Sequence, residues 1–456
     1  MAIDAGTGSV RAVLFDLKGN QIGCSQHEWT HNEDPRFPGS MDFDWKYNWE
    51  LASGCVRNVL AETKIDPAEI AAISTTCMRE GILLYDKDGN EIWACANVDA
   101  RSNDEVAELI RMNPDLELEL YKKSGQSYAL NAIPRILWVK NNMPDIYEKT
   151  AKIGMFNDWL IYKLTGVLAV EPSNGSTTGL LDLQTRTWDT EIAAKCNLRT
   201  DIFPDILECG SISGKVTAKG ASETGLAEGT PVVVGGGDCQ LGTIGVGACK
   251  PGEAAVFGGS FWQYEFNTES GKTDPYGRVR VNCHAVPGVW QYEALAFKPG
   301  LVMRWFRDGF CQEEKRKAKE IGDDPYNLMN QAAEKIPAGC YGMMCCFSDI
   351  MNFINWKHAA PTFTNFELLP EKFNKYTFYR SILENTAMLV KGHIELVKEA
   401  TGNEPDKLIF AGGASVSDLW SQILADVTGK PVVTPVVKEA TALGAAIIAG
   451  YGVGIY

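Results

Sequence analysis

Hydrophobic positions along this chain follow two periods. Near the start, Ala2-Ile3-Asp4, the run Val10 to Phe15 and Gln21 to Ser25 read as three short strands, separated by a glycine-rich turn and a Lys18-Gly19-Asn20 turn, which predicts a β-meander. Apolar residues then recur at three- and four-residue spacing in Trp45 to Thr63, Asn103 to Arg111, Ile133 to Asn141 and Asp158 to Leu164, the spacing of one helical face. Strand-like runs at Ile70 to Thr75 and Ile82 to Tyr85 interrupt these helices, so the pattern predicts an α/β core.

A second turn-centred unit lies at Pro231 to Asp238, where an apolar strand ends in three glycines and an aspartate and runs on into Leu241 to Gly247 and Glu253 to Phe257. It repeats the logic of the first unit, and the repetition predicts two related domains facing one another. The later half is rich in helix: Tyr379 to Thr401 is the longest, followed by a strand at Lys407 to Phe410, Gly412-Gly413, and a helix through Trp420 to Val427. No linker of biased composition divides the chain, and the boundary is placed near residue 245, giving domains 1–245 and 246–456.

Length supports that division, because 456 residues exceed the size at which one hydrophobic core stops growing. With 45% hydrophobic and 22% charged residues the composition is that of a folded chain. A formal charge of −15 argues against a nucleic-acid or anionic-membrane partner, yet leaves room for a small anion held by backbone N–H groups. The thirteen cysteines contain no C-x-x-C pair, and Cys340, Cys345 and Cys346 lack zinc-site spacing. Neither a signal-peptide pattern nor an apolar run of membrane-spanning length occurs; Thr441 to Gly450, the longest candidate, is short and rich in Ala and Gly. Reduced thiols and a cytoplasmic location are expected. The five histidines form no H-E-x-x-H, which gives metal-dependent hydrolysis little support.

Four constellations carry candidate chemistry. In Asp4-Ala5-Gly6-Thr7-Gly8-Ser9-Val10-Arg11 the glycines let a hairpin turn bring its N–H groups close to a phosphate, Thr7 and Ser9 add hydroxyls, and Asp4 can hold Mg²⁺ through water. The bland alternative is an ordinary glycine hairpin. In Gly235-Gly236-Gly237-Asp238 a carboxylate at a strand end can accept a hydroxyl proton during phosphoryl transfer, against the alternative of a turn cap. Phe410 to Ser415 joins a strand to a helix through small residues, forming a shelf on which a nucleoside can lie. Cys77-Met78-Arg79-Glu80 and Asn97-Val98-Asp99-Ala100-Arg101 place charged groups just beyond strands, where polar ligands bind in open α/β sheets, although an exposed ion pair would give the same spacing. Phe261-Trp262, after Gly258-Gly259-Ser260, reads as core rather than as a substrate platform. The P-loop pattern fails at Cys209 and Val216 around Gly214-Lys215, and the dinucleotide pattern fails at Arg11.

In this order the motifs resemble the FGGY carbohydrate kinases. The likeness spans nearly the whole chain, through Asp4 to Arg11, Ala132 to Trp138, Asp158-Trp159-Leu160, the Gly235 to Asp238 turn, and Gly412-Gly413 with Leu419 to Leu424. It implies two actin-like (ribonuclease H-like) α/β domains around a central cleft, and ATP-dependent phosphorylation of a terminal hydroxyl on a small sugar-like substrate, with Mg²⁺. Carried over by position, it implies that Asp238 is the base and that Gly6, Thr7, Gly8, Ser9, Arg11, Gly258, Gly259, Ser260, Gly412, Gly413 and Ala414 meet ATP. Arg79, Glu80, Asn97, Asp99, Asp238 and Cys239 would meet the substrate, and Asp4 and Asp238 the metal.

Further segments, Met78 to Gly81, Trp93 to Arg101, Gly259 to Gln263, Met303 to Asp308, Phe347-Ser348-Asp349 and Val436 to Gly444, are similar to one branch of that family. Its members act on the signalling molecule derived from 4,5-dihydroxy-2,3-pentanedione, which implies transfer to the 5-hydroxyl. Departures sharpen the expectation. Glycerol kinases carry Trp at the position of Asn97 and Gln at that of Cys239, which argues against glycerol; a family Thr is Gly259 here, and Ala414 replaces a frequent third glycine. A pentulose or polyol kinase of the xylulose type stays open as an alternative, as does, more remotely, an actin-like conformational ATPase. Oligomeric state, a homodimer included, is left open, and so is the completeness of both termini, since only three residues precede Asp4 and many relatives extend beyond Tyr456.

Overall fold

The opening meander forms as the pattern predicts. In the computed structural model, which describes residues 1–355, 360–437 and 439–456, strands β1 (Ala2–Ala5), β2 (Ser9–Phe15) and β3 (Gln21–Glu28) run antiparallel, with Asp4 opposite Arg11. Lys438, within the Val436 to Gly444 segment, lies outside the described residues. Strand β4 (Ile73–Cys77) lies parallel to β1, and β6 (Pro231–Gly237) parallel to β4, while β5 (Ile212–Lys215) closes the edge. The sheet order is β5-β6-β4-β1-β2-β3. Its central strands are buried on both faces, as parallel strands covered by helices must be. One face packs on helices α1 (Trp45–Thr63) and α2 (Phe156–Thr165), through Val56, Val59, Trp159 and Leu160 against Ile3, Val10 and Ile73.

The second sheet repeats this arrangement. Strands β7 (Ala254–Gly258), β8 (Trp262–Thr268), β9 (Arg280–Cys283), β10 (Trp290–Ala296), β11 (Leu408–Ala411) and β12 (Val432–Val433) take the order β9-β10-β8-β7-β11-β12. In the first sheet a three-strand antiparallel meander is followed by the parallel strands β4 and β6 with β5 antiparallel at the edge; in the second, four antiparallel strands are followed by the parallel strands β11 and β12, so both join an antiparallel half to a parallel half, the actin-like plan. This corrects one expectation. The counterpart of the first hairpin is β7–β8, whereas Gly235 to Asp238 ends β6 of the first sheet and leads into helix α3 (Asp238–Gly245). Beyond Asp238 the buried apolar residues Leu241 and Ile244 stand three apart, so the chain coils there and does not return as a strand.

The face of β8 bearing Trp262, Tyr264 and Phe266 joins a core with Met303 and Phe306 of α4 (Pro299–Phe310), Tyr379, Leu383 and Val390 of α5 (Lys375–Thr401) and Trp420 of α6 (Asp418–Thr428). The opposite face carries Gln263, Glu265, Asn267, Arg280, Asn282, Gln291 and Glu293, and is turned toward the first lobe. Of these only Gln263 keeps partial exposure. The two lobes thus meet through directional polar contacts.

Helix α7 (Ala440–Gly452) contains the apolar run Thr441 to Gly450. Although it closes the chain, it packs through Ala442, Ala445, Ile448 and Ala449 against Ala2, Val13 and Val233 of the first sheet and against Leu241 of α3. Small residues permit this crossing: a Cβ on Gly444 would lie 1.9 Å from the Leu241 carbonyl oxygen. Among the described residues no helix is long and apolar enough to cross a membrane, and the thirteen cysteines are free.

Candidate active site

Strands β1, β4 and β6 are parallel neighbours, with Ala5 opposite Cys77 and Cys77 opposite Gly237. Whatever follows their carboxyl ends therefore emerges at one edge, the edge where open α/β sheets bind ligands. Here it is the Gly6 to Gly8 turn, the Arg79-Glu80 pair and Asp238, so register alone brings together three segments far apart in sequence.

The first turn is tied down on its carbonyl side. Trp29 donates its indole N–H to the Gly6 and Thr7 oxygens, at 3.0 and 3.2 Å, and its backbone N–H to the Gly8 oxygen at 3.1 Å; a His31 ring nitrogen lies 2.8 Å from the Thr7 oxygen. None of the hydrogen bonds among the described residues uses the N–H groups of Gly6, Thr7 or Gly8, so the turn keeps a set of free donors. Arg11, expected to meet ATP, has its guanidinium between two carboxylates: it donates to Asp4 Oδ2 from Nε (2.8 Å) and NH2 (2.6 Å) and pairs with Glu439. Asp4 Oδ1 takes no part in this.

Asp238 begins α3, its Oδ1 accepting from the Cys239 N–H at 2.8 Å and lying 3.5 Å from Arg79 Nε. Burial pushes its carboxyl up to about 6 against the pull of Arg79, and the charges of Glu80 and Asp4 add to the upward shift. The strand end behind it is fixed by Ser173, which accepts from the Gly237 N–H at 2.9 Å and donates to Glu171 at 2.5 Å.

Arg79 and Glu80 each pair across the interface. Arg79 NH1 lies 2.5 Å from Glu293 Oε2, its NH2 lies 3.2 Å from Cys239 Sγ, and Glu80 Oε1 accepts from Arg280 NH2 at 2.6 Å. Cys239 reaches Gln263 Oε1 at 3.5 Å, and burial holds its thiol well above the usual range, so it stands there as a neutral thiol. Asn97 donates from Nδ2 to Thr7 Oγ1 at 3.0 Å. Asp99 is placed differently from its expected substrate-side position: its side chain is fully buried and accepts from Arg101 (2.8 Å) and from the Met41 N–H (2.6 Å). It braces the loop that presents Asn97, and Arg135 holds the same loop through the Asn97 and Asp99 carbonyls.

In the second lobe, Phe257 stands opposite Ala411, so the Gly258 to Ser260 turn and the Gly412 to Ala414 turn also leave a common sheet edge. Gly258, Gly259, Ser260, Gly413 and Ala414 of these turns line a cavity of about 360 Å³ together with Met303, Asn327, Tyr326 and Trp420, a volume within the range of small-molecule pockets, about 300–1,000 Å³. Gly412 has φ 90°, which a side chain would disfavour, and a Cβ there would lie 2.8 Å from the Gly258 oxygen. Trp262 is core, against Phe410 and Trp420, while Phe261 is 48% exposed.

Sequence reasoning missed Glu265, Arg280, Glu293 and Gln126. Their signal was the polar alternation Gln263, Glu265, Asn267 and Gln291, Glu293, which reads as a solvent-facing edge until the other lobe is seen to cover it.

Two actin-like lobes, glycine turns at the edges of their sheets and the half-buried Asp238 carboxylate at the end of β6 mark a phosphotransferase of the sugar-kinase type. Residues 1–245 match the N-terminal domain of the FGGY family of carbohydrate kinases and residues 267–453 its C-terminal domain. The chain belongs to that family and is a phosphotransferase with an alcohol acceptor. It is 51% identical, over 457 aligned positions spanning all of this chain and 86% of the relative, to the autoinducer-2 kinase of Yersinia enterocolitica, and shows the same figures against that of Yersinia pestis. Among solved structures, the xylulose kinase of Rhodospirillum rubrum superposes with a TM-score of 0.86 at 23% identity, covering 99% of this chain and 89% of that one. The Plasmodium falciparum glycerol kinase with ADP gives 0.85 at 22%, covering 100% and 89%. These two share the fold.

Proposed function

We propose that this protein transfers the γ-phosphoryl group of ATP to the 5-hydroxyl of 4,5-dihydroxy-2,3-pentanedione, as a cytoplasmic autoinducer-2 kinase acting on a free small molecule, with no nucleic-acid or membrane partner. The 51% identity along the whole chain to kinases of that name carries the choice of substrate. Cys239, beside Arg79 and Asp238, and Asn97, beside Thr7, fit it, since they replace the larger Gln and Trp of the glycerol-kinase pattern.

Asp238 is the base. At neutral pH it is ionised, it lies beside the Arg79 guanidinium, and it takes the proton of the acceptor hydroxyl as the new O–P bond forms and the bond to ADP breaks. The free N–H groups of Gly6, Thr7 and Gly8, with the Thr7 and Ser9 hydroxyls, grip phosphate oxygens from one lobe, and Gly258, Gly259 and Ser260 from the other. The nucleoside lies in the 360 Å³ cavity on Gly413 and Ala414, with Gly412 turning the chain behind them. Asp4 Oδ1 and Asp238 Oδ2, hard oxygens without hydrogen bonds among the described residues, suit Mg²⁺. When bound, the ion neutralises phosphate charge. Arg11, held between Asp4 and Glu439, orients Asp4.

ADP release measured with pentanedione, xylulose, ribulose, gluconate and glycerol tests this reading. Highest kcat/KM for the pentanedione, with a singly phosphorylated product by mass spectrometry, is the expected result. Preference for a pentulose would move the enzyme to the xylulose kinases, and ATP hydrolysis indifferent to every acceptor would remove the kinase assignment.

A further inference from the structure

The ligand atoms of Cys239, Glu265 and Glu293 lie within 4.8 Å of one another, a grouping that suits a cation. The cation seated there is a side chain. Arg79, 5% exposed, comes from the first lobe and directs NH1 to Glu293 and NH2 to Cys239, with Nε toward Asp238. Each of its three nitrogens thus has a carboxylate or thiol within 3.5 Å, the contacts to Glu293 and Asp238 as ion pairs and that to Cys239 as a hydrogen bond, which restricts the plane of the guanidinium. Glu293 is the partner that comes from the second lobe, and it serves two arginines: its other oxygen lies 3.2 Å from NH1 of Arg280. Arg280, 2% exposed, returns the contact by holding Glu80 of the first lobe, while Gln126 accepts from its Nε at 2.8 Å.

The acid and base on each lobe thus pair crosswise, Arg79 with Glu293 and Glu80 with Arg280. Glu80 also sits at φ 67°, an unusual backbone for a non-glycine residue, with Arg135 donating to its carbonyl; such strain persists where the surroundings over-determine it and gathers at functional sites. Glu265, directly opposite Glu293 on β8, is fully buried, and neither of its carboxyl oxygens has a hydrogen-bond partner among the described residues. Burial and the neighbouring Glu293 charge favour its protonated form, so it does not compete for the arginines. Burying two arginines and two ionised acids is a costly way to join lobes that apolar residues could join instead, and a polar arrangement of this kind earns its place by fixing geometry.

We infer that Glu293 is a positioning residue for the acceptor alcohol: through the crossed pairs it sets the orientation of Arg79 and Glu80 beside Asp238, and it does so when the two lobes are in register. The inference rests on the kinase reading above and on Arg79 and Glu80 facing the acceptor.

Steady-state kinetics of Glu293→Gln in the full chain, with the acceptor and ATP varied separately, provide the test. The acceptor KM should rise roughly 10-fold or more, because a misaimed guanidinium forfeits a charge-assisted contact. The ATP KM and acceptor-independent ATP hydrolysis should stay within about 2-fold of wild type, and Glu293→Asp, which keeps the charge, should recover part of the loss. An unchanged acceptor KM accompanied by a lower Tm would overturn the inference and leave Glu293 a structural brace. Should Glu293→Gln fail to fold, Arg280→Gln, which frees Glu80 while leaving Glu293 on Arg79, is read the same way: a raised acceptor KM supports the inference and an unchanged one overturns it. Wild-type enzyme inactive on every acceptor would sink the kinase reading itself, whereas active wild type with normal Glu293→Gln sinks this inference alone.

Discussion

Asn97 and Thr7, ninety residues apart, share a hydrogen bond of 3.0 Å from the amide Nδ2 to the hydroxyl oxygen. It ties the loop expected to read the acceptor to the turn expected to grip phosphate. On the proposed reading the two substrates meet the protein at one connected piece of structure, and a change at Asn97 would reach the nucleotide as well as the acceptor. Replacing Asn97 by Asp puts an acceptor and a negative charge where the donor stood, facing a turn that must hold phosphates. The ATP KM of Asn97→Asp should rise roughly 10-fold, a shift read from initial rates at saturating acceptor. An unaltered ATP KM would mean that the loop and the turn work independently.

Asp238→Asn removes the proton acceptor while keeping the shape of the strand-to-helix junction. Its kcat should fall by about 10² to 10⁴, with nucleotide affinity retained in a calorimetric titration. Near-normal turnover would take Asp238 out of the base role.

The raised pKa of Asp238, about 6, sets an expectation for pH. A base works in its deprotonated form, so kcat/KM should be level above pH 7 and fall as the pH drops through about 6, approaching a tenfold loss per unit at lower pH. A carboxylate with an ordinary pKa would keep full activity down to about pH 5, so a profile flat to that point contradicts the environment described for Asp238.

Gly444 makes a prediction about stability. A methyl group there would meet the Leu241 carbonyl oxygen, a backbone atom that cannot swing aside. Gly444→Ala should therefore force α3 and α7 apart and cost about 1–3 kcal/mol, seen as a lower urea midpoint. A stabilised variant, the usual result of Gly→Ala in an open helix, would show that the crossing is looser than the distances indicate.

Much of the site was legible because it is built from short local patterns. Asp4 to Arg11, Arg79-Glu80, Gly235 to Asp238 and Gly412-Gly413 are turns at strand ends, and turn chemistry is written in adjacent residues. The same locality explains the misreading of Gly235 to Asp238 as a second hairpin. A strand, glycines and an aspartate look alike whether the chain next returns as a strand or coils into a helix, and what separated them was the spacing of Leu241 and Ile244 further on. The burial of Asp99 was illegible for a different reason: an ion pair with Arg101 fits the local spacing, but the Met41 amide that shares its carboxylate comes from 58 residues away.

By itself, the sequence determined the two-lobed α/β plan and the glycine turns and aspartates at the strand ends that the proposed function uses, since periodicity and glycine placement follow from contacts between near neighbours. Tertiary structure alone decided that the polar faces of β8 and β10 would be sealed against the other lobe, that Glu293 would hold Arg79, and that the last helix would return to the first sheet. Those outcomes depend on which surfaces two separately patterned lobes turn toward each other. A glutamate in an alternating strand looks the same in sequence whether water or an arginine from a distant part of the chain completes its surroundings.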